Sequence, residues 1–377
     1  MTGPPAPAGG RPLRVGFVLE QTLGHVTHSD NLTRLVPADP RIEAEFLPVA
    51  FDPDPRWAKV PGHGNWTVRS GLRARRAVRR LRRTGPLDAL FVHTQVPATL
   101  IPDVLWRIPS VVSLDATPRQ YDELGEHYGH ETGGDRVEKA KRSLHRASFD
   151  RADRLVAWSE WAKQGLVDDY GVDPDKVVVI APGVDYERWA AEGRAAGEVE
   201  AEGPVRVLFV GGDLVRKGGD TLIDAVRRLR SGGVPVELDL VTQASVPAED
   251  GICVHNGLRP NDAALIELYR RADVFCLPTL GDCLPMVLSE AGALGLPLVS
   301  TDVGAIGEIV QPDRTGLLVP PRDEEALAEA LATLVGDPRL RRSLGANARD
   351  LVRERYDAAT NATRLVDLLV EVAGPRP

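Results

Sequence analysis

Short apolar stretches alternate along the chain with longer stretches in which apolar residues recur every three or four positions. In the first half, the short stretches are rich in Val, Ile and Leu and are followed by polar residues, Gly or Pro, which predicts strands. These predicted strands span residues 14–19, 42–49, 89–93, 110–114, 154–158 and 177–180. The stretches between them predict helices at residues 29–36, 69–83, 135–151 and 160–170. This alternation predicts an α/β fold with right-handed crossovers and a mostly parallel sheet.

The same alternation begins again after a break between residues 190 and 204. That segment is rich in Ala, Glu and Gly and lacks apolar periodicity, as expected of a linker. Beyond it, strands are predicted at residues 205–210, 236–241, 274–277, 298–300 and 317–319. The helices of this half have recognisable starts, because Asp220, Asn261 and Asp323 are suitable caps and Pro285 suits a first turn.

Two Rossmann-like domains facing one cleft are the simplest architecture for this pattern. A chain of 377 residues is long for a single core, so two domains are expected. We predict an N-terminal domain over residues 13–189, a linker over 190–204 and a C-terminal domain over 205–355. A final helix over 356–377 could cross back to the N-terminal domain. Residues 1–12 are rich in Pro, Gly and Ala and are expected to be a disordered tail, not a signal peptide.

Composition excludes several classes of protein. Hydrophobic residues make up 43% of the chain and charged residues 27%, as in a soluble globular protein, and no apolar run is long enough to span a bilayer. The net charge of −8 argues against general nucleic-acid binding. Cys253, Cys276 and Cys283 lack the spacing of a metal site, so a reduced, cytoplasmic setting is favoured.

A glycine-flanked basic pair, Arg216 and Lys217, follows the predicted strand 205–210. A glycine-rich turn at that place lets backbone N–H groups and a helix N-terminus approach an anion, and the two cations add charge. Lys217 is also the only lysine after Lys176. These features suit the departing diphosphate of a nucleotide sugar. An ordinary turn with exposed basic residues remains the alternative.

An acidic pair, Asp282 and Glu290, surrounds the predicted helix start at Pro285. Asp282 could accept hydrogen bonds from sugar hydroxyls, and Glu290 from the two hydroxyls of a ribose. Glu290 lies in an apolar helix, where a carboxylate needs a partner. Alternatively, Asp282 is a helix cap and Glu290 a surface charge. The backbone N–H groups expected to point toward the same ligand belong to Cys283, Leu284, Met286 and Val287.

The ordered set of motifs resembles glycosyltransferase family 4, a large group of retaining, nucleotide-sugar-dependent enzymes with the GT-B fold. The resemblance extends over roughly residues 14–370 and is densest in the second half. The acidic pair has the family's spacing, although the first acid is Asp282 where glutamate is usual, and Gly212 stands where arginine is usual. The matching segments are residues 157–161, 181–185, 209–218, 282–290, 301–310 and 316–320.

The resemblance implies a retaining sugar transfer that requires no metal, with a nucleotide sugar as co-substrate. The second domain would bind the donor and the first would bind a small-molecule, glycan or lipid acceptor. Gly24 would approach the donor diphosphate, and His93, at the end of a predicted strand, would contact the transferred sugar. His25 and Asp115 are weaker candidates for the acceptor site, since Asp115 could equally cap a turn.

Several alternatives remain open. A sugar phosphorylase, a nucleotide-sugar epimerase and a non-catalytic nucleotide-sugar-binding subunit fit the same motifs. An NAD-binding protein fits less well because no G-x-G-x-x-G follows the first strand. Residues 69–83 contain eight arginines and could contact an anionic membrane, but a solvated helix on the sheet is favoured since its apolar stripe lacks Trp and Phe.

Overall fold

The computed structural model describes residues 11–22, 24–50, 52, 65–125, 135–192, 203–247, 249–260 and 262–374. Twelve strands occur in this part of the chain: β1 (Leu13–Gln21), β2 (Ile42–Ala50), β3 (Ala89–His93), β4 (Ser110–Leu114), β5 (Arg154–Ala157), β6 (Val177–Val179), β7 (Val205–Val210), β8 (Val236–Val241), β9 (Ile252–His255), β10 (Val274–Leu277), β11 (Leu298–Thr301) and β12 (Gly316–Val319).

Fifteen α-helices occur in the same described residues, and the first seven lie among the strands of the N-terminal half. These are α1 (His25–Leu35), α2 (Trp66–Leu81), α3 (Gln95–Ala98), α4 (Pro102–Leu105), α5 (Pro118–Glu123), α6 (Asp135–Arg151) and α7 (Glu160–Tyr170). The others are α8 (Tyr186–Glu192), α9 (Gly219–Ser231), α10 (Ala263–Arg271), α11 (Met286–Ala293), α12 (Ile306–Ile309), α13 (Glu324–Gly336), α14 (Pro338–Arg355) and α15 (Ala358–Ala373).

The chain divides into two compact units. Unit 1 contains the described residues of Met1–Glu123, Glu131–Pro182 and Ala358–Pro377. Unit 2 contains those of Leu124–His130 and Gly183–Asp357. The last helix, α15, therefore belongs to the unit that contains the first strand. None of the described helices combines the length and the apolar character needed to cross a bilayer.

The sheet of unit 1 is fully parallel, with strand order β2-β1-β3-β4-β5-β6. Neighbouring side chains of a strand face opposite sides, so Phe17 joins one core and Val18 the other. Leu32 of α1 and Leu369 of α15 pack on the Phe17 side, and Val78 of α2 packs on the Val18 side. Burial on both faces explains why the inner strands β3 and β4 are almost continuously apolar.

The sheet of unit 2 is also parallel, with order β12-β11-β10-β7-β8-β9. Read from β9, this is the strand order of the dinucleotide-binding fold. The strands β7, β8 and β9 follow one another in one direction across the sheet, and β10, β11 and β12 follow one another in the opposite direction from β7. The reversal places the carboxyl ends of β7 and β10 side by side. In unit 1, the corresponding reversal lies between β1 and β3. Crevices at such reversals are the usual ligand sites of open parallel sheets.

The predicted boundary at residue 189 lies later in the chain than the observed one. Unit 2 begins at Gly183, and α8 belongs to it because buried Trp189 packs edge-on against Tyr269, with ring centroids 5.2 Å apart. The sequence pattern missed β9, α8 and the short helices α3, α4, α5 and α12. Most of the predicted linker, the first ten residues and the predicted cap Asn261 lie outside the described residues.

Helix starts in unit 2 follow the predictions at two of the described positions. The Asp323 carboxylate accepts a hydrogen bond from Ala326 N at 2.9 Å, which confirms it as a cap. Pro285 immediately precedes α11. The prediction for Asp220 is wrong, because α9 already begins at Gly219 and Asp220 lies in its first turn. Gly218, which immediately precedes α9, has a left-handed backbone conformation that is unfavourable for a residue with a side chain.

Candidate functional site

The loop between β7 and α9 is shaped by close approach to the loop after β10. Gly218 has φ +73°, and a Cβ built on it would lie 1.9 Å from the Pro278 carbonyl oxygen. On the other side, Leu280 N donates to Arg216 O at 2.8 Å, and Thr279 Oγ1 lies 3.1 Å from the same oxygen. Gly218 therefore allows the two loops to pack closely against each other where the strand order of the sheet reverses.

Replacing Gly218 by Ala is expected to lower the free energy of unfolding by at least about 3 kcal/mol, because strained backbone and a steric clash add. Urea unfolding measures this change. Gly212→Ala is the matched control, since the Cβ there would approach nothing closer than Gln243 at 3.8 Å. Equal stabilities of the two variants would contradict this account of the loop.

The two loops bring the predicted basic and acidic residues together. Lys217 Nζ lies 2.8 Å and 2.7 Å from the two carboxylate oxygens of Asp282. Arg216 Nη1 donates to Gly281 O at 2.8 Å and to Asp282 Oδ1 at 3.3 Å. The side chains are only 10 to 15% exposed, so this is a largely desolvated cluster. Arg216, Lys217 and Asp282 together carry one net positive charge. The Asp213 carboxylate, which is more exposed, lies 3.5 Å from Arg216 Nε.

Asp282 is held from its other side by Thr279. Thr279 Oγ1 lies 2.8 Å from Asp282 Oδ2, and Gly281 N donates to that hydroxyl at 3.3 Å. The loop after β11 closes on the same segment, because Ala305 N donates to Cys283 O at 2.9 Å. Gly304 has φ +56°, and a Cβ there would lie 2.2 Å from Asp282 O. Asp282 is therefore fixed in place and is not a helix cap.

Glu290 lies on α11, eight residues after Asp282, and is buried. Its Oε2 accepts a hydrogen bond from the Tyr269 hydroxyl at 2.8 Å. Burial raises the pKa of the Glu290 carboxyl to about 7, although the Tyr269 hydrogen bond lowers it in part. The alternative of an exposed surface charge is therefore wrong. A carboxylate that titrates near neutral pH within an apolar helix is typical of a functional site.

The backbone predicted to face the ligand lies at the start of α11. Cys283, Leu284 and Met286 are buried, and Val287 is half-buried. Met286 and Val287 are the first two residues of the helix, so their N–H groups have no acceptor within it. This gives the helix an N-terminus suited to anions or sugar oxygens beside the Lys217–Asp282 pair.

In unit 1, the carboxyl end of β3 carries His93, which is fully buried. Its ring stacks on Trp158 with centroids 5.6 Å apart, and the rings of His25 and His28 meet it at 5.2 Å and 5.0 Å. Neither ring nitrogen of His93 has a hydrogen-bond partner among the described residues. Burial, with repulsion from His28 and His25, holds the pKa of His93 well below its usual value. His93 is therefore a neutral imidazole, and its two buried ring nitrogens make no hydrogen bond with the described residues.

The other candidates of unit 1 lie at the same sheet edge. His25 begins α1, and its Nε2 lies 3.7 Å from Asp115 Oδ2. The Asp115 carboxylate also accepts hydrogen bonds from Ala116 N and from the Tyr121 hydroxyl, so its own loop occupies most of its capacity. Gly24 precedes α1, and a Cβ added there would meet nothing within 4 Å. Among the described residues, no contact requires a glycine at this position.

Three contributors were missed by the sequence reasoning. Tyr269 and Thr279 hold the two predicted acids, and Glu20 is a buried carboxylate at the end of β1. Glu20 accepts hydrogen bonds from Trp66 Nε1 at 2.8 Å and from the Thr94 hydroxyl. Thr94 follows His93 with φ +76°, an uncommon conformation for threonine. The signal available in the sequence was a glutamate directly after the apolar predicted strand 14–19.

In the described ranges, no group of three or more His, Cys, Asp or Glu side chains is placed to hold a metal ion. The expectation of a metal-independent reaction is not tested by this observation and stays a prediction.

Comparisons with known proteins match both halves of the chain. A model described as Glycosyltransferase Family 4 matches residues 33–188, and one described as Glycosyl transferases group 1 matches residues 204–337. The D-inositol 3-phosphate glycosyltransferase of Nocardia farcinica is 33% identical over 230 residues, which are 55% of this chain and 51% of that protein. The chain thus spans about half the length of this relative.

Solved structures match over nearly the whole chain. Sucrose-phosphate synthase from Thermosynechococcus elongatus has a TM-score of 0.74 at 16% identity, over 96% of this chain and 99% of that one. Anabaena HepE in complex with UDP-glucose has a TM-score of 0.69 at 16% identity, over 95% and 100%. At these identities the likeness shows the fold, which is GT-B. The two family models, which between them match most of the chain, show that it belongs to the glycosyltransferases.

Proposed function

We propose that this protein transfers a sugar from a nucleotide-sugar donor to a hydroxyl-bearing acceptor with retention of anomeric configuration. The observation that carries the proposal is the cluster of Arg216, Lys217 and Asp282 at the reversal of the unit 2 sheet, with buried Glu290 on the adjoining helix. A phosphate-binding loop and two hydroxyl acceptors on one sheet edge match the parts of a nucleotide sugar.

Lys217 and Arg216 would stabilise the diphosphate as the bond to the sugar breaks. Preorganised donors at developing charge typically contribute about 3–4 kcal/mol to the transition state in water-excluded sites. Arg216 would also take over from the arginine usual at the position of Gly212, since its guanidinium lies on the same carboxylate as Lys217. Asp282 is already oriented by Thr279 and would accept hydrogen bonds from hydroxyls of the transferred sugar.

Glu290 would accept the ribose hydroxyls through the carboxylate oxygen that Tyr269 does not occupy. A uridine nucleotide is the first donor to test, because the Anabaena HepE structure carries UDP-glucose. That likeness concerns the fold, so the base and the sugar of the donor are part of the proposal.

Unit 1 would bind the acceptor at the carboxyl end of its sheet. The neutral His93 can donate one hydrogen bond and accept another, which suits a sugar hydroxyl. Because its pKa is depressed, His93 is a poor general base, and the donor's own phosphate oxygen would take the acceptor proton. An acceptor of the inositol phosphate class is the first to test, given the name of the Nocardia relative.

The experiment incubates the protein with UDP-, GDP- and ADP-glucose and a panel of hydroxyl acceptors, and follows nucleotide release and product by NMR. We expect acceptor-dependent release of one nucleoside diphosphate and an α-linked product from an α-linked donor. Cleavage of a disaccharide only in the presence of inorganic phosphate would favour a phosphorylase instead. Donor binding without turnover across the whole panel would favour a binding subunit.

A further inference from the structure

The hydroxyl of Tyr269 lies at a fixed position against the acid proposed to hold the donor ribose. It donates to Glu290 Oε2 at 2.8 Å, and both side chains are buried. Within the described residues, this is the only hydrogen bond that the Glu290 carboxylate accepts. Tyr269 belongs to α10 and Glu290 to α11, so the bond joins two successive helices of unit 2.

The ring of Tyr269 is held on two sides. It stacks nearly parallel on Phe275 of β10, with centroids 5.6 Å apart and planes at 12°, and Trp189 of α8 meets it edge-on at 5.2 Å. All three side chains are buried. The hydroxyl therefore cannot swing away from the carboxylate without disturbing a packed aromatic cluster.

We propose that Tyr269 is a positioning residue of the donor site, which fixes the orientation of Glu290 and keeps its Oε1 available for the ribose hydroxyls. This inference rests on the proposed function, because it assigns a role within the proposed donor site. A carboxylate anchored through one oxygen presents the other in a single direction, so less rotational freedom is lost when the donor binds. The phenol also stabilises the ionised form, which is the stronger acceptor for two hydroxyls.

The pKa of Glu290 depends on the Tyr269 hydroxyl, whereas the packing of the Tyr269 ring alone would not change it. Burial raises the pKa of Glu290 to about 7, and the Tyr269 hydrogen bond acts against that rise. Among the described residues, Tyr269 is the only titratable side chain that shifts this pKa. From α14, which packs on α11, Arg349 instead donates to Leu294 O beyond the helix. Without the phenol, the pKa of Glu290 should rise further, so less of the carboxylate is ionised at neutral pH.

The test is Tyr269→Phe, which keeps the stacked ring and removes only the hydroxyl. Calorimetry with UDP-glucose, GDP-glucose and ADP-glucose is carried out on the full chain from pH 6 to pH 9. For the sugar nucleotide that binds the wild type, we expect Kd to rise roughly tenfold at pH 7. The difference in Kd between Tyr269→Phe and the wild type should shrink toward pH 9, and the midpoint of the dependence of Kd on pH should be displaced to higher pH. In steady-state kinetics, kcat should change less than KM.

Tyr356→Phe is the matched control, because Tyr356 is a buried tyrosine of the same unit whose hydroxyl has no hydrogen-bond partner among the described residues. It should leave Kd and the pH profile unchanged. Wild-type Kd and an unshifted profile in Tyr269→Phe, while Glu290→Gln weakens binding, would overturn the role of Tyr269 alone. Absence of binding by the wild type to all three sugar nucleotides would overturn this inference together with the proposed function.

Discussion

Replacing Lys217 by Met is expected to lower kcat/KM for the sugar nucleotide by roughly 10²- to 10³-fold, since one preorganised cation is lost where the leaving diphosphate gains charge. The same change removes the two contacts of Asp282 with Lys217 Nζ, at 2.7 Å and 2.8 Å, although Arg216 and Thr279 still contact that carboxylate. Most of the loss should appear in kcat, because the interaction strengthens as the sugar–phosphate bond breaks. Steady-state kinetics with varied donor measure it.

Lys217→Arg should recover part of the activity, because it keeps the charge and changes its geometry. Lys139→Met is the control, since Lys139 is an exposed lysine of unit 1. Melting temperatures of all variants separate a loss of charge from a loss of fold. Near-normal turnover by Lys217→Met with an unchanged melting temperature would contradict the role assigned to this loop.

Glu290→Gln should weaken donor binding and, relative to the wild type, gain stability as the pH rises. The pKa of Glu290 is about 7 in the folded protein, against 4.5 for the free group. A raised acid pKa means that the folded state holds the proton more tightly. This contribution to stability is complete below pH 4.5 and is lost as the pH rises toward and past 7.

Glutamine has no such titration. The free energy of unfolding of Glu290→Gln minus that of the wild type should therefore rise by on the order of 3 kcal/mol between pH 4.5 and pH 8. Urea unfolding at several pH values measures this difference. Glu354→Gln, at an exposed position, should show no comparable trend. A difference that is flat with pH would mean that Glu290 is not buried as an acid with a raised pKa.

The architecture was largely predictable because it rests on local patterns. The inner strands β3 and β4 are short apolar runs between polar turns, and their burial on both faces follows from the parallel sheet. The elements that were missed are all short and have weak patterns. β9 is only four residues long and only its first residue is buried, and α8 is seven residues long and precedes an Ala- and Glu-rich segment.

The residues of the candidate site were predictable, but their contacts were not. Sequence motifs selected Lys217, Asp282 and Glu290 one by one, while the ion pair between the first two depends on β7 lying next to β10. That adjacency follows from the strand order, which local periodicity does not encode. The same holds for Tyr269, whose position in α10 reads as an ordinary buried aromatic until α11 is placed beside it.

Calorimetric titration of the wild type, Lys217→Met and Glu290→Gln with UDP, GDP and ADP tests most directly whether unit 2 binds a nucleotide through these residues. We predict that one of the three nucleotides binds the wild type and that both substitutions raise its Kd by about tenfold or more. Equal affinity of all three proteins for that nucleotide, or no binding of any nucleotide to the wild type, would contradict the account.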